Sequence, residues 1–302
     1  MIATQVSPDV SAELVDVFTK AGAVGRLHAR EIGGACEVGL GADEPVVLAS
    51  TFKVPVALEV FAQALEGRLD LGERVRVPVE GRAPGPTGLS VFAHEVELSL
   101  HDLARSMITV SDNAATDVVC ERVGLDRVSA RLGSLGLDEI VIPHDCRGIF
   151  ATVFEDAAAA GLPPDAFPTD PEVLRDLRAL DPLQTDRGTP RAMTRLLELI
   201  WTDAAGPAAA CAQVREVMAQ QVWPHRLTAG FPADVTVAGK TGTLPSQHNE
   251  VGVVDYPDGR SYAVAVYVRS ERFELRQPLL DRAIGEAARI AVDSLRHGAP
   301  IS

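Results

Sequence analysis

The chain has 302 residues, 46% of them hydrophobic and 23% charged, with a formal net charge of -14. That length allows one large domain or two lobes around a cleft, and the composition is that of an ordinary globular protein. The acidic balance excludes a nucleic-acid footprint, which needs a basic face. No apolar run reaches the length of a membrane span, so no membrane partner is expected.

The first segment, MIATQVSPDVSAELVDVF, is interrupted by Asp9, Glu13 and Asp16 and makes a poor secretory signal. A cytoplasmic location is the expectation. The segment reads instead as an amphipathic helix over 7–21, started by Ser7 and Pro8, with Val10, Leu14, Val15 and Phe18 at helical spacing. Strands follow near 25–32 and 35–40, and a short apolar run, Val46 to Leu48, leads into Ser50. From Thr51 the pattern is helical, with Val54, Ala57, Leu58 and Phe61 on one face. Pro55 is tolerated because it falls in the first turn. Ser50 therefore stands at a helix N-terminus, with Lys53 on the same face one turn later.

The middle of the chain reads as mostly helical. Ser99 and Asp102 look like a capping box for LHDLARSMITV. A second helix follows Asn113 and ends near Gly124, and a third ends near Gly133 or Gly136. Residues 143–188 carry six prolines and read as a long loop with one short helix around 171–179. Thr189-Pro190 starts a helix to about Trp201, and another spans 207–221. After Pro224 the period becomes two: VTVAGKTGT, NEVGVVDY and RSYAVAVYVRS read as antiparallel strands, the last two joined by a turn at 256–259. A helix over 277–296 closes the chain. The predicted fold class is α/β plus all-α, an antiparallel sheet flanked by terminal helices with an inserted helical lobe. Residues 1–60 and 195–302 would form a discontinuous α/β domain, and 61–194 the helical domain with its enlarged loop 143–188.

Four cysteines, at 36, 120, 146 and 211, show no C-x-x-C and read as reduced, mostly buried thiols. The seven histidines include no H-E-x-x-H. No metal and no cofactor are expected.

Three short motifs carry the chemistry: Ser50-Thr51-Phe52-Lys53, Ser111-Asp112-Asn113 and Lys240-Thr241-Gly242-Thr243. Each alone is weak, but their order and their places at a helix start, a helix-helix loop and a strand make a set. The chain has three lysines against 25 arginines, and two of the three, Lys53 and Lys240, lie in the motifs. Arginine serves where a fixed charge is enough, whereas catalysis wants an amine that can lose its proton. Of the two asparagines, Asn113 and Asn249, one is in a motif. A serine hydroxyl needs a neighbouring base, and Lys53 is in reach of Ser50. Backbone N–H groups at the helix start and at Thr243 can hold an oxyanion. Ser111 can pass a proton to a leaving nitrogen beside Lys240, and Asn113 can hold Lys53 and a substrate amide.

The constellation resembles the penicillin-recognising serine hydrolases, class A β-lactamases most closely, over nearly the whole chain. STFK, MITVSDNAATD, TPRAM and AGKTGT stand in that family's order. The resemblance implies Ser50 as acylated nucleophile, Lys53 as its base, Ser111 as proton relay and Asn113 as a substrate-binding residue. It implies a substrate carboxylate on Lys240 and Thr241, with Gly242 beside them and Thr243 completing the oxyanion hole. Arg226, in HRLTAGFP, matches a position where some members keep a carboxylate-binding arginine.

The sequence departs from that pattern in one place. Class A enzymes carry a Glu-x-x-Leu-Asn segment whose glutamate positions the deacylating water, and this chain has none. Asp145 or Glu155, in the enlarged loop, could substitute; each also reads as a solvated loop charge. The trio His144-Asp145-Cys146 is discounted as a thiol site, because consecutive residues rarely converge on one point. The expected substrate is a small-molecule amide, ester or β-lactam. The leading expectation is β-lactam hydrolysis through acyl-Ser50; the alternatives are a peptidase, amidase or esterase of the same fold, or a sensor that stays acylated.

Overall fold

The structure is a computed structural model and describes residues 8–164 and 166–297. In chain order it runs α1 (Pro8–Lys20), β1 (Ala23–Glu31), β2 (Glu37–Leu40), β3 (Val46–Val47) and α2 (Lys53–Leu65). Then come β4 (Arg74–Val77), β5 (Val96–Ser99), α3 (Leu100–Thr109), α4 (Asn113–Val123) and α5 (Leu125–Ser134). After these stand α6 (Cys146–Ala159), α7 (Pro171–Arg175), β6 (Arg187–Gly188), α8 (Pro190–Trp201) and α9 (Ala208–Ala219). The chain closes with β7 (Thr236–Leu244), β8 (Gln247–Asp255), β9 (Ser261–Ser270) and α10 (Pro278–His297).

The main sheet is antiparallel, in the order β2-β1-β9-β8-β7, which leaves β7 at an edge. Alternation along β9 explains why both its faces are covered. Tyr262, Val264, Val266 and Val268 point into a core made with α1 and α10, while Ala263, Ala265 and Tyr267 point into the core shared with the helical lobe. Phe18 lies so close to β1 that a Cβ at Gly25 would sit 2.2 Å from its ring, so that strand position has room only for glycine. Leu14 and Phe18 face inward, whereas Val15 is exposed and does not belong to the apolar stripe; Ser7 lies outside the described residues.

On the opposite face α8 packs as one piece against β1, β8 and β9, so a boundary at 195 would cut it. Thr189 caps it, accepting from the N–H of Ala192. The inserted lobe is centred on α2, which is buried on all sides from Lys53 to Gln63, as a helix in the middle of a core must be. Besides its helices the lobe carries the short pair β4–β5.

The 143–188 stretch is corrected by the structure. It is not a long loop with one short helix: a 14-residue helix, α6, occupies Cys146–Ala159. Asp145 caps it, accepting from the N–H of Gly148 at 2.7 Å, and Ile149, Val153 and Ala157 form its buried stripe. Of the six prolines that suggested a loop, Pro143 precedes this segment and the other five follow residue 162, which leaves the segment free of them. Among the described residues no helix is long and apolar enough to cross a membrane.

Candidate active site

Ser50 sits in a 3-10 turn, Ala49–Phe52, that runs directly into α2. Two non-glycine residues at the site hold left-handed backbone, Ala49 (φ 46) and Ser111 (φ 60). Such strain persists only where the surroundings impose it. Here the surroundings are visible. Asn249 Nδ2 donates to the carbonyl of Val47 at 2.9 Å, and Thr51 Oγ1 donates to that of Leu48 at 2.8 Å. A Cβ at Gly242 would meet the Leu48 carbonyl oxygen at 2.9 Å. Glycine in the K-T-G run thus lets the edge strand lie against the turn that presents Ser50.

The second motif is pinned through Asp112. Its buried carboxylate accepts from the N–H groups of Leu89 and Ala115 and from Ser106 Oγ, which fixes the start of α4. This delivers Ser111 and Asn113 to the two lysines. Lys53 Nζ donates to Asn113 Oδ1 (2.8 Å), to the Ser111 carbonyl (3.0 Å) and to Ser111 Oγ (3.3 Å). Lys240 Nζ donates to Ser111 Oγ (2.9 Å) and to the Thr241 carbonyl (2.8 Å). Both amines are fully buried. Burial, then the charge of Lys53, holds Lys240 well below the usual lysine range. Because Ser111 Oγ accepts from both lysines, its own proton is left to donate elsewhere.

The third motif lies on the outer edge of the sheet. The N–H of Thr241 points away from β8, onto Gln221 Oε1 at 2.6 Å. Two residues on, by the strand period, the N–H of Thr243 points the same way. Arg226 is buried, not a surface side chain. Its donors are engaged inside the protein, by Asp281 Oδ1, the carbonyls of Gly242 and Asn249, and Thr243 Oγ1, with His248 Nδ1 3.2 Å from its Nη2. It therefore stands behind Thr243, whose hydroxyl accepts from it at 2.8 Å and keeps its proton for a ligand.

One cavity of about 570 Å³ joins these groups and is lined by Ser50, Ser111, Asn113, Thr241, Thr243 and Arg226 among others. Of the motif residues, Ser50, Ser111, Asn113, Thr241 and Thr243 line it, and Lys53 and Lys240 are joined to it through Ser111 Oγ. Asp145 and Glu155 do not point there: the first caps α6, and the second is exposed and paired with Arg178 at 2.8 Å. Cys146, discounted as a thiol site, does approach: its Sγ lies 3.4 Å from Asn113 Oδ1. Burial pushes its thiol up to about 12, so it stays neutral there. Gln221 and Asn249, which brace the edge strand and the Ser50 turn, carry no local signal, although the scarcity of asparagine singled out Asn249.

Comparison with known proteins fits this geometry. The sequence pattern described as the beta-lactamase enzyme family matches residues 9–295. The beta-lactamase regulatory protein BlaB of Streptomyces cacaoi is 31% identical, over 96% of this chain and 98% of that protein. The carbapenem-hydrolyzing beta-lactamase KPC of Klebsiella oxytoca is 26% identical, over 91% of this chain and 84% of the enzyme. Among solved structures, a beta-lactamase from Sphaerobacter thermophilus superposes with a TM-score of 0.77 at 22% identity, covering 98% of this chain and 100% of that one.

Proposed function

The chain belongs to the beta-lactamase enzyme family, and from that membership we propose that it is a serine hydrolase acting through an acyl-Ser50 intermediate, with β-lactams as its substrate class. The observation that carries this reading is the convergence of Lys53 and Lys240 on Ser111 Oγ, at 3.3 and 2.9 Å, in the cavity that Ser50 lines.

The chemistry follows from that arrangement. The Ser50 oxygen attacks the lactam carbonyl, the carbonyl–nitrogen bond breaks, and the Ser50 proton ends on the leaving nitrogen. Lys53, once it has given up a proton of its own, takes that of Ser50, and Ser111, which it shares with Lys240, hands a proton on to the nitrogen. The N–H groups of Ser50 and Thr243 receive the oxyanion, since the first opens a helix and the second faces out from the sheet edge. Lys240, Thr241 and the Thr243 hydroxyl hold the substrate carboxylate, and Arg226 acts through Thr243 rather than by direct contact.

A second reading, slow release of the acyl group, is favoured by Cys146. The thiol beside Asn113 and Lys53 is neutral and cannot take a proton from water. The regulatory role named for the Streptomyces cacaoi relative agrees with a protein that holds its ligand. Incubation with benzylpenicillin and a chromogenic cephalosporin, following turnover and intact mass together, tests both. Sustained turnover supports hydrolysis, and a lasting adduct supports retention. Ser50→Ala is expected to abolish both signals; an adduct or turnover that survives in this variant would sink the mechanism.

A further inference from the structure

The motifs account for one side of the cavity only. Much of the remainder is apolar, and its composition shows what it is built to meet. Among the described residues, the 143–188 stretch sends two side chains into the cavity, Phe150 from α6 and Phe167 from the segment that follows it. The charged residues that reach it, His225, Arg226, Arg276 and Asp281, come from the segments before β7 and around the start of α10. The wall facing them from the enlarged stretch is therefore aromatic and uncharged. The rings of Phe150 and Phe167 lie 6.5 Å apart and tilted by 58°, and Phe154 backs Phe150 at 6.5 Å. These are separations at which aromatic groups support one another.

Exposure adds a second observation. Phe167 is 41% and Leu275 60% exposed, and both line the same cavity together with Leu244 and Pro245. Large apolar side chains grouped at a concave site and left in water mark a surface that a ligand covers. A cavity of about 570 Å³ is also larger than a lactam ring and its carboxylate need, and lies within the range of sites for whole drug-sized ligands.

We infer that the acyl portion of the substrate is a bulky apolar group, aryl or branched aliphatic, seated on Phe150 and Phe167. The inference rests on the acyl-Ser50 reading and adds the substrate's acyl class to it. Phe150 and Phe167 then determine specificity, while the motif residues carry out the reaction. Burial of one such group is worth about tenfold or more in reaction rate, because the gain is realised as the acyl carbon is brought onto Ser50.

The test compares two penicillins that share ring and carboxylate and differ in the acyl group, 6-acetamidopenicillanic acid and benzylpenicillin. In both, the Ser50–acyl bond forms as the lactam carbonyl–nitrogen bond breaks. Rates of adduct formation, read by intact mass, should favour benzylpenicillin about tenfold or more. That ratio should fall toward one in Phe150→Ala and in Phe167→Ser. The second change lies on a half-open surface and settles the matter if the first disturbs the fold. Equal rates in the unmodified protein, or an undiminished ratio in Phe167→Ser with a native circular dichroism spectrum, would overturn the inference while leaving acylation intact. Neither adduct nor turnover with either compound would overturn the acyl-Ser50 reading itself.

Discussion

At the scale of single residues, the site depends on putting two amines where water is excluded. Lys53 and Lys240 are fully buried and share Ser111 Oγ, so the charge on one opposes the charge on the other. Lys240 is held below the usual lysine range, and acylation should quicken as pH rises and a proton leaves it. Lys240→Met keeps the length of the side chain and removes the amine. It is expected to slow adduct formation at Ser50 about a hundredfold, measured by intact mass from pH 5 to 9. A loss of less than about threefold would remove Lys240 from the proton path. The lysines were readable beforehand because the chain uses so few of them. The burial that tunes Lys240 was not, since it comes from the edge strand and the helical lobe closing over one amine.

At the scale of elements, α6 is the part that sequence reasoning missed. Its apolar stripe is sparse, with Ile149, Val153 and Ala157 separated by Phe150, which borders both the core and the cavity, and Phe154, which joins its ring. The prolines beyond it weighed against a helix, but the local cap at Asp145 was enough to start one. That cap also sets where Cys146, the first helical residue, meets Asn113. Asp145→Ala should cost about 1 kcal/mol and lower the melting temperature by about 2 °C. Asp145→Asn, which can still accept from Gly148, should recover most of that loss. Equal melting temperatures for all three proteins would deny the cap its role. The long helices and the three paired strands, by contrast, had caps, turns and periodicity that agreed with one another, and the structure has them within a few residues of expectation.

At the scale of the whole molecule, the fold buries carboxylates that it leaves partly unpaired. Asp117, on α4, accepts from the N–H of Arg147, while its second oxygen is buried with no hydrogen bond, 3.8 Å from Arg147 Nε. Burial, then the charge of Asp145, raises its carboxyl from 3.8 to about 6. A raised acid is favoured protonated in the folded state, so the stability it contributes is present below its unfolded value and is lost as pH climbs from about 4 to about 6. Asp117→Asn cannot ionise and escapes that loss. Its melting temperature relative to the unmodified protein should therefore improve between pH 4.5 and 7.5. The upper bound is about 3 kcal/mol, two units at about 1.4 kcal/mol each. A difference that is flat or falls with pH would contradict the assignment.

The sequence by itself determined the three motifs, the sheet with its terminal helices and the presence of a helical insertion. Those features are written in short-range patterns, namely two- and 3.6-residue periods, caps, and residue types spaced along a few turns. Tertiary structure alone decided how the motifs meet. It turned the donors of Arg226 inward against Thr243, paired Glu155 with Arg178, and set a neutral Cys146 beside Asn113. The physical reason is that hydrogen-bond partners and burial are properties of residues brought together from 17 to 202 positions apart, which no local period records.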